Sequence, residues 1–362
     1  MKITGIRERL FLSISLLVAV ALALSCSGKE ESKEPANRTT PTTTASKPAT
    51  GAFADSTLDR LNQLPPKYDS YYVLDRRSNT IFGIDLNTNK VAARLLRETP
   101  LVAIQYDPAR NWIYEATGKP QPGIAIFDAA TGRYLQKFVQ PDVPAGVLYN
   151  PVQQRLYVAS EDSSVLRVFL PDSMKFILNI GLNIQNMTPI NPTTLMPGPA
   201  GKMITANGKH GSVTEIFTEN NFMLQTIVIH QAFAIDYAYF SYDGNSSFGC
   251  DTEHGSLYRV EFGTGKVLGE KHELKRPRFV QLEIASNTVV VAVGKTEVLM
   301  LNADTFRETG KVDLAEYGEE ILSLEIPPKA NYAEVLMDYK GVTRWLRFDV
   351  QNWEPLRLVE LY

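Results

Sequence analysis

Along RLYVASEDSSVLRVFLPDSMKF, residues 155–176, apolar and polar positions alternate, break at a polar turn, and alternate again. A period of two predicts strands with one face turned inward. The same pattern returns from Tyr71 to the C-terminus. Aligned on the turn after each run, seven segments emerge: NTIFGIDLNTNKV, GIAIFDAATGRYL, VLRVFLPDSMKFI, VTEIFTENNFML, LYRVEFGTGKVL, VLMLNADTFRET and RWLRFDVQNWEPL. One column is apolar throughout: Ile84, Phe127, Phe169, Phe217, Val260, Leu301 and Phe348, spaced 43, 42, 48, 43, 41 and 47 residues apart. Four places later stands Thr88, Thr131, Ser173, Asn221, Thr264, Thr305 or Asn352. These residue types bond to nearby backbone and favour tight turns.

Upstream of each segment lies another short apolar strand, such as YYVLD, RLYVAS or TVVVAV. A third precedes it in most repeats, such as VAIQYDP or GVLYNP, and a fourth follows the polar turn. No stretch holds a 3.6-residue apolar period for more than two turns. Four short antiparallel strands recurring about every 43 residues predict an all-β fold, a β-propeller. Seven columns predict seven blades, filling residues 67–362. Blades two to seven show four strands each. Blade one, residues 67–100, shows only the last three. Either residues 52–66 supply its inner strand or the blade is three-stranded; LDRLNQLPP, residues 58–66, reads more as a short helix and turn than as a strand.

The repeats resemble those of YVTN-type propellers, best at Tyr157-Val158-Ala159 and at Asp128-Ala129-Ala130-Thr131-Gly132-Arg133. The resemblance is clear over residues 71–180. It implies a seven-bladed ring whose loops, at one end of a central channel, do the binding. Seven-bladed lactonases share this repeat type, so it also admits a lactonase-like hydrolase.

The N-terminus has a different character. Lys2, Arg7 and Arg9 precede an apolar run from Leu10 to Leu24, interrupted by Ser13 and Ser15. A basic start followed by an apolar run of this length predicts a secretory signal peptide over residues 1–25. The run is short for a permanent membrane span. Ala23-Leu24-Ser25-Cys26 resembles a bacterial lipobox, which implies that Cys26 becomes the diacylated first residue; a plain signal peptide that contains a Cys is the alternative. Ser27, rather than Asp, follows, which by the same resemblance points to the outer membrane. Residues 26–66 are expected to be a flexible tether, rich up to about residue 50 in Thr, Ser, Pro, Lys and Glu.

Composition narrows the function classes. The 362 residues carry a net charge of −3, which lends no support to a nucleic-acid partner. Of the two cysteines, Cys250 has no intramolecular partner if Cys26 is acylated, and it reads as a buried apolar residue. No nucleophile elbow, phosphate loop, dinucleotide fingerprint, Cys-x-x-Cys pair or haem-attachment motif is present, so no cofactor and no catalytic residue is assigned.

The candidate chemistry lies in loops. GKHGS at 208–212 and TEHGS at 252–256 fall between the second and third strands of neighbouring blades, on one face. His210, His254, Asp251 and Glu253 are therefore candidate ligand-binding residues, without the three or four convergent ligands that a zinc site needs. KHELKRPRF, residues 271–279, is the densest basic run and reaches the same face. It adds Lys275, Arg276 and Arg278, which with Arg76, Arg77, Lys119, Lys209 and Lys295 suit a small anionic ligand or a protein. The chain is thus expected to be a lipid-anchored binding module of the bacterial cell envelope, with the membrane and one ligand or protein as partners. A lactonase-like hydrolase with its site at the channel mouth is the alternative.

Overall fold

The structure, a computed structural model, describes residues 70–362 apart from 141, 161–162, 183–189, 191, 200, 230–231, 233 and 328–329. The expectations for the signal peptide, Cys26 and the tether lie outside the described residues.

The period-two runs fold as antiparallel meanders. Blade one comprises β1 (Ser70–Asp75), β2 (Thr80–Asp85) and β3 (Lys90–Leu96). Blade two comprises β4 (Leu101–Asp107), β5 (Trp112–Thr117), β6 (Gly123–Asp128) and β7 (Tyr134–Val139). Blade three follows with β8 (Pro144–Asn150), β9 (Arg155–Ser160), β10 (Val165–Leu170) and β11 (Lys175–Gly181). Blade four has β12 (Thr194–Pro197), β13 (Lys202–Ala206), β14 (Ser212–Phe217) and β15 (Phe222–Val228). Blade five has β16 (Tyr237–Phe240), β17 (Ser246–Asp251), β18 (Ser256–Glu261) and β19 (Val267–Lys271). Blade six has β20 (Arg278–Glu283), β21 (Thr288–Val293), β22 (Glu297–Asn302) and β23 (Glu308–Asp313). Blade seven ends the chain with β24 (Glu320–Glu325), β25 (Tyr332–Tyr339), β26 (Val342–Asp349) and β27 (Pro355–Leu361). Each sheet is ordered as the chain runs, the first strands of blades two to seven are neighbours in turn around the centre, and β1 lies next to β4. The described residues form a seven-bladed β-propeller, as the repeats predict, and among them the first blade has three strands; residues 52–66, the alternative source of its inner strand, lie outside the described residues.

One detail of the alignment is corrected. In six blades the apolar column sits next to last in the third strand, immediately after a bulge against the outer strand, as at Gly83/Ile84 and Arg347/Phe348. Five residues later the chain takes a left-handed turn residue: Asn89, Gly132, Met174, Gly265, Phe306 or Trp353. In blade four the bulge lies at Glu215/Ile216 and the left-handed residue is Asn221. The column residue is therefore Ile216, fully buried, and the half-buried Phe217 takes the place of Asp85 and Asp128. Two aromatic or aliphatic residues in succession hid this one-residue slip, which in a strand exchanges the two faces.

The turn itself follows from local chemistry. Asp85 Oδ1 accepts from the amides of Asn87 and Thr88, and Asn302 Oδ1 accepts from those of Asp304 and Thr305. Gly132 and Gly265 reach positive φ without a Cβ clash. Met174, Phe306 and Trp353 carry that strain, of the order of 1 kcal/mol, but each buries its side chain between blades.

Seven apolar clusters stand one at each blade interface. Phe169 packs with Tyr114 and Ile126 of blade two, and Phe348 packs with Val290 and Val298 of blade six. The ring closes where Val73, Phe82 and Ile84 of blade one meet Trp345, Val359 and Leu361 of blade seven. Polar struts reinforce that seam. Arg77 pairs with Asp338 and donates to Thr343 Oγ1 at 2.9 Å, and Arg357 donates to the carbonyl of Leu86 at 2.6 Å. Among the described residues no strand is shared between the first and last blades.

The register predicts a reversal of intuition about residue size. Ile216→Ala should cost about 2–5 kcal/mol, as for a buried aliphatic residue. The larger but half-exposed Phe217→Ala should cost about 1–2 kcal/mol. Urea titration of both variants checks the assignment, and equal losses would return the column to Phe217.

Candidate functional site

Loops between second and third strands, together with those joining one blade to the next, share one face of the ring. All of the candidate residues lie there, and they divide into three local groups.

The first is the turn Asn207–Gly211. His210 Nδ1 lies 2.7 Å from Ser212 Oγ, and burial lowers the pKa of its ring. Beneath it Asn207 holds Ser212 Oγ at 3.0 Å and Thr214 Oγ1 at 2.9 Å, while Thr205 donates to its Oδ1 at 2.6 Å. Ile235 donates to the carbonyl of Gly208, which ties this loop to blade five.

The second group caps blade five. Asp251, fully buried at the end of β17, accepts the amide of His254 at 2.9 Å and meets its Nδ1 at 3.3 Å. His254 itself is exposed, as is Glu253. Ser256 Oγ lies 2.9 Å from Nδ1 of His272, whose Nε2 is 3.4 Å from Glu270. Asp236, which sequence reasoning did not single out, joins this group. Burial pushes its carboxyl above the usual range, Thr252 opposes the shift, and the charges of Asp251 and Glu253 add to it.

The third group is the basic run. Lys275 and Arg276 are exposed. Arg278 is not part of a free patch: it donates to Glu320 of blade seven at 3.1 Å and to the carbonyl of Gly294 at 3.3 Å. Arg77 is likewise paired to Asp338 across the closing seam. The basic loops therefore supply struts as well as surface charge. Among the described residues no three His, Cys, Asp or Glu side chains gather as a metal site.

A further set lines the central channel and was missed in the sequence. Its members stand on strands of blades one, five and seven, so no local motif reveals them. Tyr71 Oη donates to Glu325 Oε2 at 3.1 Å. Burial raises the pKa of Tyr71, with Glu325 and Glu334 adding to the rise. Burial also raises Glu325, opposed by Tyr71 and reinforced by Glu334. Burial raises Tyr239 of blade five as well, and the charge of Glu325 adds to the rise. The ring of Tyr237 lies 4.8 Å from that of Phe279, tilted by 58°.

The opposite face holds two clefts. One of about 300 Å³ lies between blades five and six, where Arg259 pairs with Asp304 at 2.6 Å. The other, of about 420 Å³, lies between blades three and four beside Tyr149, Lys202 and Glu219. Cys250 is buried in β17, and burial pushes its thiol well above the usual range.

No protein-family model matches the sequence, and no curated protein matches it. Among solved structures, a chain of Kuenenia stuttgartiensis hydrazine synthase matches with a TM-score of 0.64 at 14% identity, over 83% of this chain and 99% of that one. At that identity the likeness shows the fold alone.

Two measurements probe this face. Asp251→Ala should destabilise by about 1–3 kcal/mol, because the His254 amide loses a buried acceptor. Lys275→Ala and Arg276→Ala, at exposed sites, should stay within about 0.5 kcal/mol. Asp236→Asn should stabilise the protein at neutral pH. The fold favours the protonated acid, so the wild type loses stability as pH rises from 3.8 through the raised folded pKa. The advantage of the Asn variant should therefore vanish below pH 3.8 in melts run across pH. An advantage that persists there would mean a different cause.

Proposed function

We propose that this propeller is a binding module of the bacterial cell envelope, held to the outer membrane by lipid on Cys26 and spaced from it by residues 27–66. The YVTN-type repeats and the lipobox-like Ala-Leu-Ser-Cys are its sequence support. The observation that carries it is how the loop residues are used. Asp251 fixes the backbone of its own turn, Ser212 holds His210, and Ser256 holds His272. Side chains committed to shaping their own loops build a pre-organised polar surface, which suits recognition. The charged loop residues Glu253, Lys275 and Arg276 give that surface both signs, which fits a protein or a small anionic ligand.

Three outcomes test the reading. Cys26→Ala should move the protein from the membrane fraction to the soluble fraction and abolish incorporation of labelled palmitate. Cross-linking in intact envelopes should capture a partner. Lactone or ester turnover that is lost in a His210→Ala, His254→Ala double variant would replace the binding role with a hydrolytic one.

A further inference from the structure

Two blade junctions on the face opposite the candidate loops are built on equivalent aspartates. Asp172 and Asp304 each stand three residues after the apolar column, after Phe169 and Leu301, in the turn before an outer strand. Each pairs with an arginine of the preceding blade: Arg110 of blade two reaches Asp172, and Arg259 of blade five reaches Asp304. The first junction is saturated. Arg110 grips Asp172 through both Nε and Nη2, and its Nη1 donates to Asp107 at 2.9 Å and to Tyr149 Oη at 2.6 Å.

The second junction is built from smaller parts. Leu282 opposes Val289 as Tyr149 opposes Leu156, so a leucine stands where blade three has the tyrosine. The amide of Ser241 donates to the carbonyl of Ser246 at the base of the loop, where Asp107 and Trp112 pair in blade two. Gly244 therefore holds the loop position of Arg110, and Tyr242 holds that of Pro108. The guanidinium comes instead from β18. Arg259 donates through Nε to Ser246 Oγ at 3.0 Å, and through Nη1 to Asp304 at 2.6 Å and the carbonyl of Ala303 at 3.2 Å. Its Nη2 has no hydrogen bond among the described residues. The cleft of about 300 Å³ opens here, lined by the buried Phe248 and Leu282 and by Tyr242. Tyr242 is 70% exposed, the most exposed aromatic residue among those described, and it makes no hydrogen bond or ring contact with them.

We propose that this cleft binds a neutral pyranose residue of a glycan. The site lies on the face opposite His210, His254 and the basic run, so it stands apart from the loop-face ligand and from the lipid anchor. An apolar lining with a few convergent polar groups is the usual make-up of a small-molecule site. A pyranose has an apolar face of C–H bonds and a rim of hydroxyls. The C–H face suits the ring of Tyr242, whose π cloud is negative on its face. Each hydroxyl both donates and accepts. Nη2 of Arg259 offers a donor. The carboxylate of Asp304, held by Arg259 and by Asn287 at 2.8 Å, keeps lone pairs to accept. Hydroxyls on adjacent carbons use both groups at once. Asp243 and Asp304 outnumber Arg259 among the charged lining residues, so a phosphate, sulfate or carboxylate meets repulsion. A free amine competes with Arg259 for Asp304 and leaves Nη2 unused.

Screening the full chain on an array of neutral, acidic and amino-bearing oligosaccharides, followed by titration calorimetry on the best binders, tests the site. Neutral glycans should bind in preference to the other two classes. Tyr242→Ala, at an exposed side chain, should leave the melting curve unchanged and weaken binding about threefold to tenfold, while Tyr242→Phe should retain it. Asp304→Asn should weaken binding about tenfold, because a hydrogen bond to a charged acceptor becomes one to a neutral acceptor. Failure of every neutral glycan to bind, a preference for acidic or amino-bearing ones, or binding unchanged in either Tyr242→Ala or Asp304→Asn would overturn the site. The loop-face reading shares no residue with this cleft, so it stands or falls by its own tests.

Discussion

Each sheet in this protein has two apolar faces and nothing of its own to cover them, so it is stable only between two others. That constraint sets everything else. A lone four-stranded meander of this length would leave residues such as Phe348 or Phe169 in water, at about 1.5–3 kcal/mol each. Stacking sheets face to face removes both faces at once, and a ring removes the exposed ends of the stack. Seven interfaces, each with its own cluster, are the outcome. The bulge before each column residue serves the same end: it strengthens the twist of the outer strand and re-aims the side chain at the preceding blade. The left-handed residue five places on then lets the chain return, even where it is a Trp or a Phe, because packing holds it there.

A frame held this way leaves its loops free to vary, and here they are used locally. The Asn207 network and the Asp251 cap are built within single turns. Charged side chains such as Arg278 and Arg77 reach to the next blade and brace it. The polar groups on the loop face therefore divide between shaping a turn and tying two blades together. Those that do neither, such as Arg276 and Glu253, form the outward surface. The channel is different in kind, since it collects single residues from strands far apart in sequence.

What was legible in the chain follows from this division. Period-two alternation and the Thr, Ser and Asn turn residues are local signals, and they mark seven blades and three strands in the first. The column at Phe217 slipped by one because Ile216 and Phe217 are both apolar, and only the bulge and the left-handed Asn221 distinguish them. The strand Thr194–Pro197 was weakly marked because it is short and ends in Pro. The channel set was illegible for a deeper reason. Tyr71 and Glu325 meet through ring geometry across blades one and seven, 254 residues apart, and no spacing along the chain encodes that meeting.

Closure of the ring shows why the inner seam is polar. A strand shared between the first and last blades would tie the ring with backbone hydrogen bonds. Among the described residues this chain ties it with side chains instead: an apolar patch around Trp345 and Ile84, and the Arg77 and Arg357 struts farther out. At the inner end Glu325 of β24 accepts from Tyr71 of β1 at 3.1 Å, and Glu334 beside it pairs with Arg347 at 2.6 Å, so the seam is tied there by polar side chains as well.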